Sequence, residues 1–392
     1  MSQSTEDLKG LLERVLSQKE GLSGLRVHEV RASSITNPGD NFMSVVSAVE
    51  VLGILPGGTP YQKSLFVKWP VGGAQRTQTY HVDEAFSNEA VVYLQVLPLY
   101  DVTSPCPLCY YAGHDVIVLE NLKRQGYTIG ERSVGFDFPT AECTLKALAK
   151  FHAGSYHANL TKKKDFLAAT DQLKPIGFLL SGNRDMVETS LRRAISMVAE
   201  VDDLKDVLPV LRSFQGKVSE KLRDLRRATN LTVMGHGDFW LNNLMICKES
   251  ENPVKIVDLQ ACAIMSPAVD VYSFLYTSVA SSVMECDRFE QLLRIYSEAF
   301  LDNLKGLRIP TEYAPSLSDV LHELKSRELY GLFIGTLYLP ALELSPDVPD
   351  LDSVSKEQTL DDDFALKFFG PELKNRMRNL VRLCKERGVL ST

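Results

Sequence analysis

Two periods divide this chain, and the change from one to the other limits what it can fold into. Between Leu25 and Trp69 the residues follow a strand pattern in three stretches, 26–30, 44–52 and 64–69, with Pro56-Gly57-Gly58-Thr59-Pro60 as a hairpin tip. A further strand is expected over 115–122. From Pro139 onward the spacing is helical: Leu145, Leu148 and His152 share one face of 141–156, with later helices over 267–284, 288–304, 318–339 and 365–389. Gly370-Pro371 marks an early break in the last of these. A lead-in helix over 6–17 sets Leu8, Leu11, Leu12 and Val15 on one face, and residues 84–97 set Phe86, Ala90, Tyr93 and Leu97 on another, with Glu89 beside that stripe. Residues 158–230 are charged and helix-prone without a repeat, and the acidic, turn-rich stretch 345–363 reads as a mobile loop. A chain of 392 residues exceeds the usual size of one core. The expectation is therefore an α+β protein of two lobes: residues 1–120, built on an antiparallel sheet with the lead-in helix, and residues 121–392, mainly helical.

Composition removes several classes of function. A net charge of −7 argues against an extended nucleic-acid surface, because phosphate binding needs clustered excess Lys and Arg. The short basic runs at 162–164 and 221–227 read as solvated faces. Seven scattered cysteines fit reduced thiols in the cytoplasm, and Cys106-Pro107-Leu108-Cys109 has no second pair at zinc spacing. The polar, acidic start is unlike a signal peptide, and the longest uncharged apolar stretch, 329–342, is interrupted by Pro340 and falls short of the ~20 residues of a membrane span. Neither a membrane span nor an obligate protein partner is expected.

The chemistry concentrates in His236-Gly237-Asp238-Phe239-Trp240-Leu241-Asn242-Asn243 and in Asp258, which closes the apolar run 254–257. An aspartate, an asparagine five residues on and a second aspartate at a strand end form a minimal kit for holding magnesium nucleotide beside an acceptor hydroxyl. Asp238 would accept a hydrogen bond from that hydroxyl and orient it, with proton transfer late. Asn243 offers Mg²⁺ a neutral oxygen and Asp258 a charged one. His236 is placed to brace the turn by hydrogen bonding, and Asp270, at the start of a helix, to brace the same loop. His152 reads as a satisfied structural histidine. Upstream, Lys68 sits in an otherwise apolar strand and Glu89 on the following helix, a separation that suits the ion pair positioning nucleotide phosphates. Glu120, Asn121 and Leu122 end a strand suited to joining the lobes, where adenine would pair with backbone groups. Asp40 and Asn41 lie in a turn-rich loop whose backbone N–H groups can approach phosphate oxygens. Trp240, Tyr272, Phe274 and Tyr276 are candidates for an apolar acceptor pocket, although aromatic residues at such spacing are more often core.

The stretches HGDFWLNN, VDLQ and SPAVDVYSFL resemble the ecdysteroid kinase-like family, also called CHK kinase-like, within the wider group of choline kinases and aminoglycoside phosphotransferases. FVKWP around Lys68, FSNEAVVY around Glu89, CYYA at Cys109, VLENLKRQGY at Val118 and LAKFHAGS at Leu148 extend the likeness, in order, over roughly residues 30–340. The resemblance implies a protein kinase-like fold that uses ATP and Mg²⁺ to phosphorylate a hydroxyl of a small molecule, an ecdysteroid or another steroid or xenobiotic alcohol. It implies Lys68 and Glu89 as the phosphate-orienting pair, Asp238 as the catalytic aspartate, Asn243 and Asp258 as metal ligands, and Glu120 to Leu122 as the hinge. Gln260 stands where protein kinases have the glycine of DFG, which argues against an activation switch of their kind. Leu259 replaces the usual phenylalanine, a packing change that leaves the metal untouched, and the phosphate loop is poorer in glycine than a protein kinase's. Two alternatives stay open: a choline or ethanolamine kinase, which needs an aromatic and acidic cage, and a catalytically silent binding module, against which the intact Lys68, Asp238, Asn243 and Asp258 weigh.

Overall fold

The computed structural model describes residues 5–34, 44–70, 81–131, 134–176, 184–227, 231–343 and 371–391. Helix α1 (Thr5–Lys19) leads into strands β1 (Arg26–Ser34), β2 (Ser44–Ile54) and β3 (Pro60–Pro70), followed by helix α2 (Val82–Val91) and strands β4 (Cys109–Ala112) and β5 (Ile117–Glu120). The strands form an antiparallel sheet in the order β1-β2-β3-β5-β4, with Val46 opposite Lys68 and Lys68 opposite Ile117. Alternation then sorts the side chains of β3. Leu65 and Val67 pack with Leu12, Leu16 and Val49 beneath α1, while Phe66 joins Phe86 of α2 in the main core. Lys68, two residues past Phe66, is carried on the α2 side.

The second lobe begins with the short strand β6 (Thr128–Ile129), then α3 (Phe138–Thr161), α4 (Lys163–Thr170), α5 (Arg184–Ala199), α6 (Leu208–Ser213) and α7 (Val218–Arg226). Asp137 caps α3 by accepting from Thr140 N, with Pro139 in its first turn. Two small antiparallel sheets follow, β7 (Val233–Gly235) with β10 (Ala263–Met265), and β8 (Leu244–Ile246) between β6 and β9 (Val254–Ile256). They are the frame from which the central motifs hang. Helices α8 (Ala268–Ser278), α9 (Cys286–Gly306), α10 (Leu317–Ser326), α11 (Leu329–Glu343) and α12 (Pro371–Glu386) complete the lobe. Every residue of α8 is buried, so it is the central post of this half.

Several sequence expectations need correction. Strand β1 runs on to Ser34 because ladder pairing with Ser47–Glu50 holds residues that hydropathy does not mark. The helix expected over 84–97 is α-helical only to Val91; a π-turn over Val92–Val96 and a 3₁₀ turn over Leu97–Leu99 follow, with Pro98 unable to donate to a continuing helix. The single helix expected over 318–339 is two, because Arg327 leaves helical geometry at φ −120° after a capping-box start at Ser316 and Asp319. Of the helix expected over 365–389, residues 365–370 lie outside the described residues, and α12 runs from Pro371, where a proline suits a first turn, to Glu386. The stretch 158–230, helix-prone as expected, supplies α4 to α7, and α5 packs on α11 and α12. The loop expected over 345–363 lies outside the described residues. Among them no helix is long and apolar enough to cross a membrane.

Where α11 meets α8, Gly331 lets the buried Tyr276 ring come so close that a Cβ would collide with it. Glycine inside a helix normally costs about 0.5–1 kcal/mol against alanine. Gly10 of α1, exposed and open on all sides, should follow that rule, so Gly10→Ala is expected to stabilise. Gly331→Ala should instead destabilise by about 1–3 kcal/mol through overpacking, and denaturant unfolding of both variants reads the opposite signs.

Candidate functional site

The loop after β7 is held from behind. Gly237 takes φ +80°, and a Cβ there would strike the Ala261 carbonyl, so both the turn and the close approach require glycine. Asp270, in the first turn of α8, accepts from His236 N at 2.6 Å and from Gly237 N at 2.8 Å. His152 of α3 lies 3.0 Å from the same carboxylate through Nε2, and its Nδ1 meets the Tyr296 hydroxyl at 2.8 Å. Both His152 and Asp270 are fully buried. Burial alone would raise the Asp270 carboxyl, but the hydrogen bond and charge of His152 and the backbone donors outweigh it and hold it below the usual carboxylate range. His152 is thus the structural histidine expected, and Asp270 the brace.

His236 ties the loop to the strand that carries Asp258. Its Nδ1 accepts from Asp238 N at 3.3 Å, and its Nε2 stands 2.9 Å from the Val257 carbonyl. A carbonyl can only accept, so this pattern takes the neutral tautomer with hydrogen on Nε2. Asn243 donates through Nδ2 to the Asp238 carbonyl at 2.8 Å and to Asp238 Oδ2 at 2.9 Å, while its own carbonyl accepts from Val257 N at 3.0 Å. Asp238, Asn243 and Asp258 are thereby drawn together. Asp258 takes the left-handed conformation at φ +67°, unusual for a non-glycine residue although tolerated by aspartate.

The two lobes meet at Lys68. Its ammonium is 2.6 Å from Glu89 Oε2 and 2.7 Å from Asp258 Oδ1. Lys68 and Glu89 are 6% and 1% exposed, so this is a buried pair and not two solvated charges. Burial works against the ammonium, yet Asp258 and Glu89 outweigh it and keep Lys68 above its ordinary value. Gln260 Nε2 donates to the other Asp258 oxygen at 3.2 Å. Asn88, next to Glu89, was missed in the sequence: its amide nitrogen donates to Gln260 O at 3.0 Å and Lys174 O at 2.8 Å, and its oxygen accepts from Lys174 N at 2.8 Å. Tyr338 of α11 was missed too, and its hydroxyl donates to Asp238 Oδ1 at 2.8 Å. FSNEAVVY contained the first of these without marking it, and nothing in the apolar run around Tyr338 singled it out.

Other expected site residues stand differently. The Glu120 carboxylate accepts from Leu108 N and from Gln125 Nε2, each at 2.8 Å; the Asn121 side chain donates to Ser64 Oγ at 2.9 Å and accepts from Arg124 N at 3.3 Å. These side chains secure the connector itself. Leu122 is buried with Tyr127, Met245 and Cys247, and Val257 packs against them. Asp40 and Asn41 lie outside the described residues. Of the proposed acceptor aromatics, Tyr272, Phe274 and Tyr276 are core residues of α8; only Trp240 lies beside Asp238, its ring 5.0 Å from that of Tyr338. Cys106 and Cys109 are free, and burial pushes each thiol up to about 12, which leaves them unreactive.

A sheet strand that sends a lysine to a helix glutamate, set above a helical lobe that presents Asp238, Asn243 and Asp258, defines a two-lobed kinase-like protein. The profile of the ecdysteroid kinase-like family matches residues 38–309, more than half of the chain, and the chain belongs to that family. A comparison with curated proteins finds no match. Among solved structures it is similar to a candidate aminoglycoside phosphotransferase from Ralstonia eutropha, with 12% identity, 98% of each chain covered and a TM-score of 0.49. It is also similar to an ethanolamine kinase from Plasmodium vivax, with 12% identity, 95% of this chain and 91% of that one covered, and a TM-score of 0.45.

Removing the brace has a calculable consequence. Asp270→Ala leaves two buried backbone N–H groups and the His152 ring without their acceptor, and should cost about 3–5 kcal/mol of stability. Asp270→Asn keeps one acceptor and should cost less. Thermal or urea unfolding of the two variants gives the comparison, and equal stability to the parent would contradict the brace.

Proposed function

We propose that this protein is an ATP-dependent phosphotransferase that moves the γ-phosphate to a hydroxyl of a small molecule. The observation that carries the reading is the convergence of Lys68, Glu89 and Asp258 within ion-pairing distance while Asn243 fastens Asp238 beside them. Lys68, oriented by Glu89, binds the phosphates; Asp238 orients the acceptor hydroxyl and takes up its proton late, as the oxygen bonds to phosphorus. Burial raises the Asp238 carboxyl, opposed by the neighbouring His236 and by the hydrogen bonds from Tyr338 and Asn243 and aided by the charge of Asp258, and the net upward direction suits a group meant to receive a proton. The adenine would lie against Leu122, Met245 and Val257 and pair with the backbone at Glu120 to Leu122, near which we divide the chain into a nucleotide-binding lobe, 1–120, and a catalytic and acceptor-binding lobe, 121–392. Asp40 and Asn41 are assigned to the phosphates on sequence alone.

Mg²⁺ fits the donor set. The Asn243 amide turns its nitrogen toward Asp238, which leaves Oδ1 for a cation, and Asp258 adds a carboxylate; these are hard oxygen donors of the kind Mg²⁺ takes along with phosphate oxygens. Among the described residues no group of three or more His, Cys, Asp or Glu could hold a metal, which suits an ion shared with the nucleotide better than a resident one. When bound, the ion neutralises phosphate charge. The acceptor is assigned as a steroidal or xenobiotic alcohol of the kind the family's description suggests, and the setting as the cytoplasm, in keeping with cysteines that are all free.

Asp238→Asn and Asp258→Asn should each lower transfer by about 100-fold or more with circular dichroism unchanged, and Lys68→Met should weaken MgATP-dependent thermal stabilisation. An ATP-consumption screen over ecdysteroids, choline, aminoglycosides and plant or microbial alcohols identifies the acceptor. Turnover of choline alone would replace the steroid assignment, and a protein that neither binds MgATP nor responds to these changes would refute the phosphotransferase reading.

A further inference from the structure

Both oxygens of the Asp238 carboxylate are already engaged. Oδ2 accepts from Asn243 within its own loop at 2.9 Å, and Oδ1 accepts from the hydroxyl of Tyr338, which comes from a helix one hundred residues away. A hydroxyl donating to Asp238 at 2.8 Å is what an acceptor alcohol must also do. Tyr338 stands two residues before Pro340, inside α11, where the missing N–H removes the helical partner of the Thr336 carbonyl and loosens the backbone. Its ring meets Trp240 edge-on at 5.0 Å and 81°, and the Trp240 Nε1 is buried without a hydrogen-bond partner among the described residues. A buried donor left open on a ring that packs against Tyr338 is a place for an oxygen of something that binds there.

We propose that the Tyr338 phenol holds the place of the acceptor hydroxyl, so that Asp238 is withheld from water until an alcohol displaces it. This deepens, and rests on, the phosphotransfer reading. The acceptor presents its hydroxyl from an apolar body lying against the Tyr338 and Trp240 rings, with a second oxygen able to accept from the indole. Burial and the Asp238 charge keep the phenol protonated, so it remains a donor. Tyr338 acts through Asp238 and is a positioning residue. Once it is removed, water can take its place: the water oxygen bonds to the γ-phosphorus as the bond to the bridging ADP oxygen breaks, and Asp238 takes the released proton.

The test needs no identified acceptor. In a buffer free of alcohols, Tyr338→Phe and the parent protein are given MgATP alone, and ADP formation is followed beside MgATP affinity. The variant should hydrolyse ATP about tenfold faster or more at similar affinity. Hydrolysis unchanged or slower, with nucleotide still bound, overturns the proposal, as does a variant that fails to fold, because the phenol is then structural. A second measurement does not depend on turnover. The chain has two tryptophans, so Trp69→Phe leaves Trp240 as the reporter, and adding Tyr338→Phe should raise its acrylamide quenching about twofold or more if the hydrogen bond holds the ring over it. Unchanged quenching means packing alone holds the ring and overturns the gate. Should neither protein bind MgATP, the phosphotransfer reading fails by itself, and quenching alone still decides whether the phenol is tethered.

Discussion

The rest of the site depends on one buried ammonium. Lys68 reaches from the third strand of the first lobe to a glutamate of its own lobe and to an aspartate of the other, and all its hydrogen bonds are charge-assisted. Such a group cannot be left alone in the interior, since an unpaired buried charge costs several kcal/mol. The lobes are therefore coupled where function would place the phosphates. Two carboxylates around one lysine also leave an excess of negative charge. Glu89 carries that excess as a carboxyl raised first by its burial, and Glu89 Oε1 has no hydrogen-bond partner among the described residues. A site so arranged is not at its electrostatic optimum by itself, and added positive charge at Asp258 would relieve it.

Around this pair, buried polar groups do what regular secondary structure does elsewhere. The strands flanking the central loop are three residues long, too short to fix side chains to a few tenths of an ångström. Position comes instead from Asp270 gripping two successive N–H groups, from His236 spanning to the Val257 carbonyl, and from Asn243 closing the loop on itself. Each of these bonds restrains the loop, because a displaced backbone would leave its buried donor or acceptor stranded. That explains how Asp258 keeps a left-handed backbone: Lys68 and Gln260 hold its side chain while Asn243 holds the preceding residue.

What the sequence made legible follows from how local the determining physics was. Alternation along β3 puts Lys68 on the Phe66 face, and apolar spacing puts α2 where Glu89 can meet it, so the pair was readable across twenty-one residues. The His-Gly-Asp turn and the asparagine were readable because each bond lies within five residues. Asn88 and Tyr338 were not, since their partners lie 86 to 172 and 100 residues away and neither residue type is unusual on a helix. The same limit left Tyr272, Phe274 and Tyr276 open between pocket and core: nearness in sequence to the central stretch allowed a pocket, and the burial of every residue of α8 decides for core. The breaks at Val92 and Arg327 were invisible because apolar spacing continues through them while the backbone geometry does not.

Asn88 sharpens the reading of Gln260. In a switchable site the helix bearing the glutamate must be free to swing, and the segment after the metal-binding aspartate must be free to turn. Here one asparagine binds the Gln260 carbonyl and both backbone groups of Lys174, from a side chain adjacent to Glu89. Moving α2 outward would break three buried or half-buried hydrogen bonds as well as the Lys68 pair, each costing the desolvation of the groups left behind. Turning the segment after Asp258 would break the bond from Asn88 to the Gln260 carbonyl and release the Gln260 amide from the carboxylate. The glutamine that departs from the protein-kinase pattern is thus part of a weld, and the geometry of this half of the site is set by folding, which leaves the acceptor side, around Asp238 and Tyr338, as the part with room to respond.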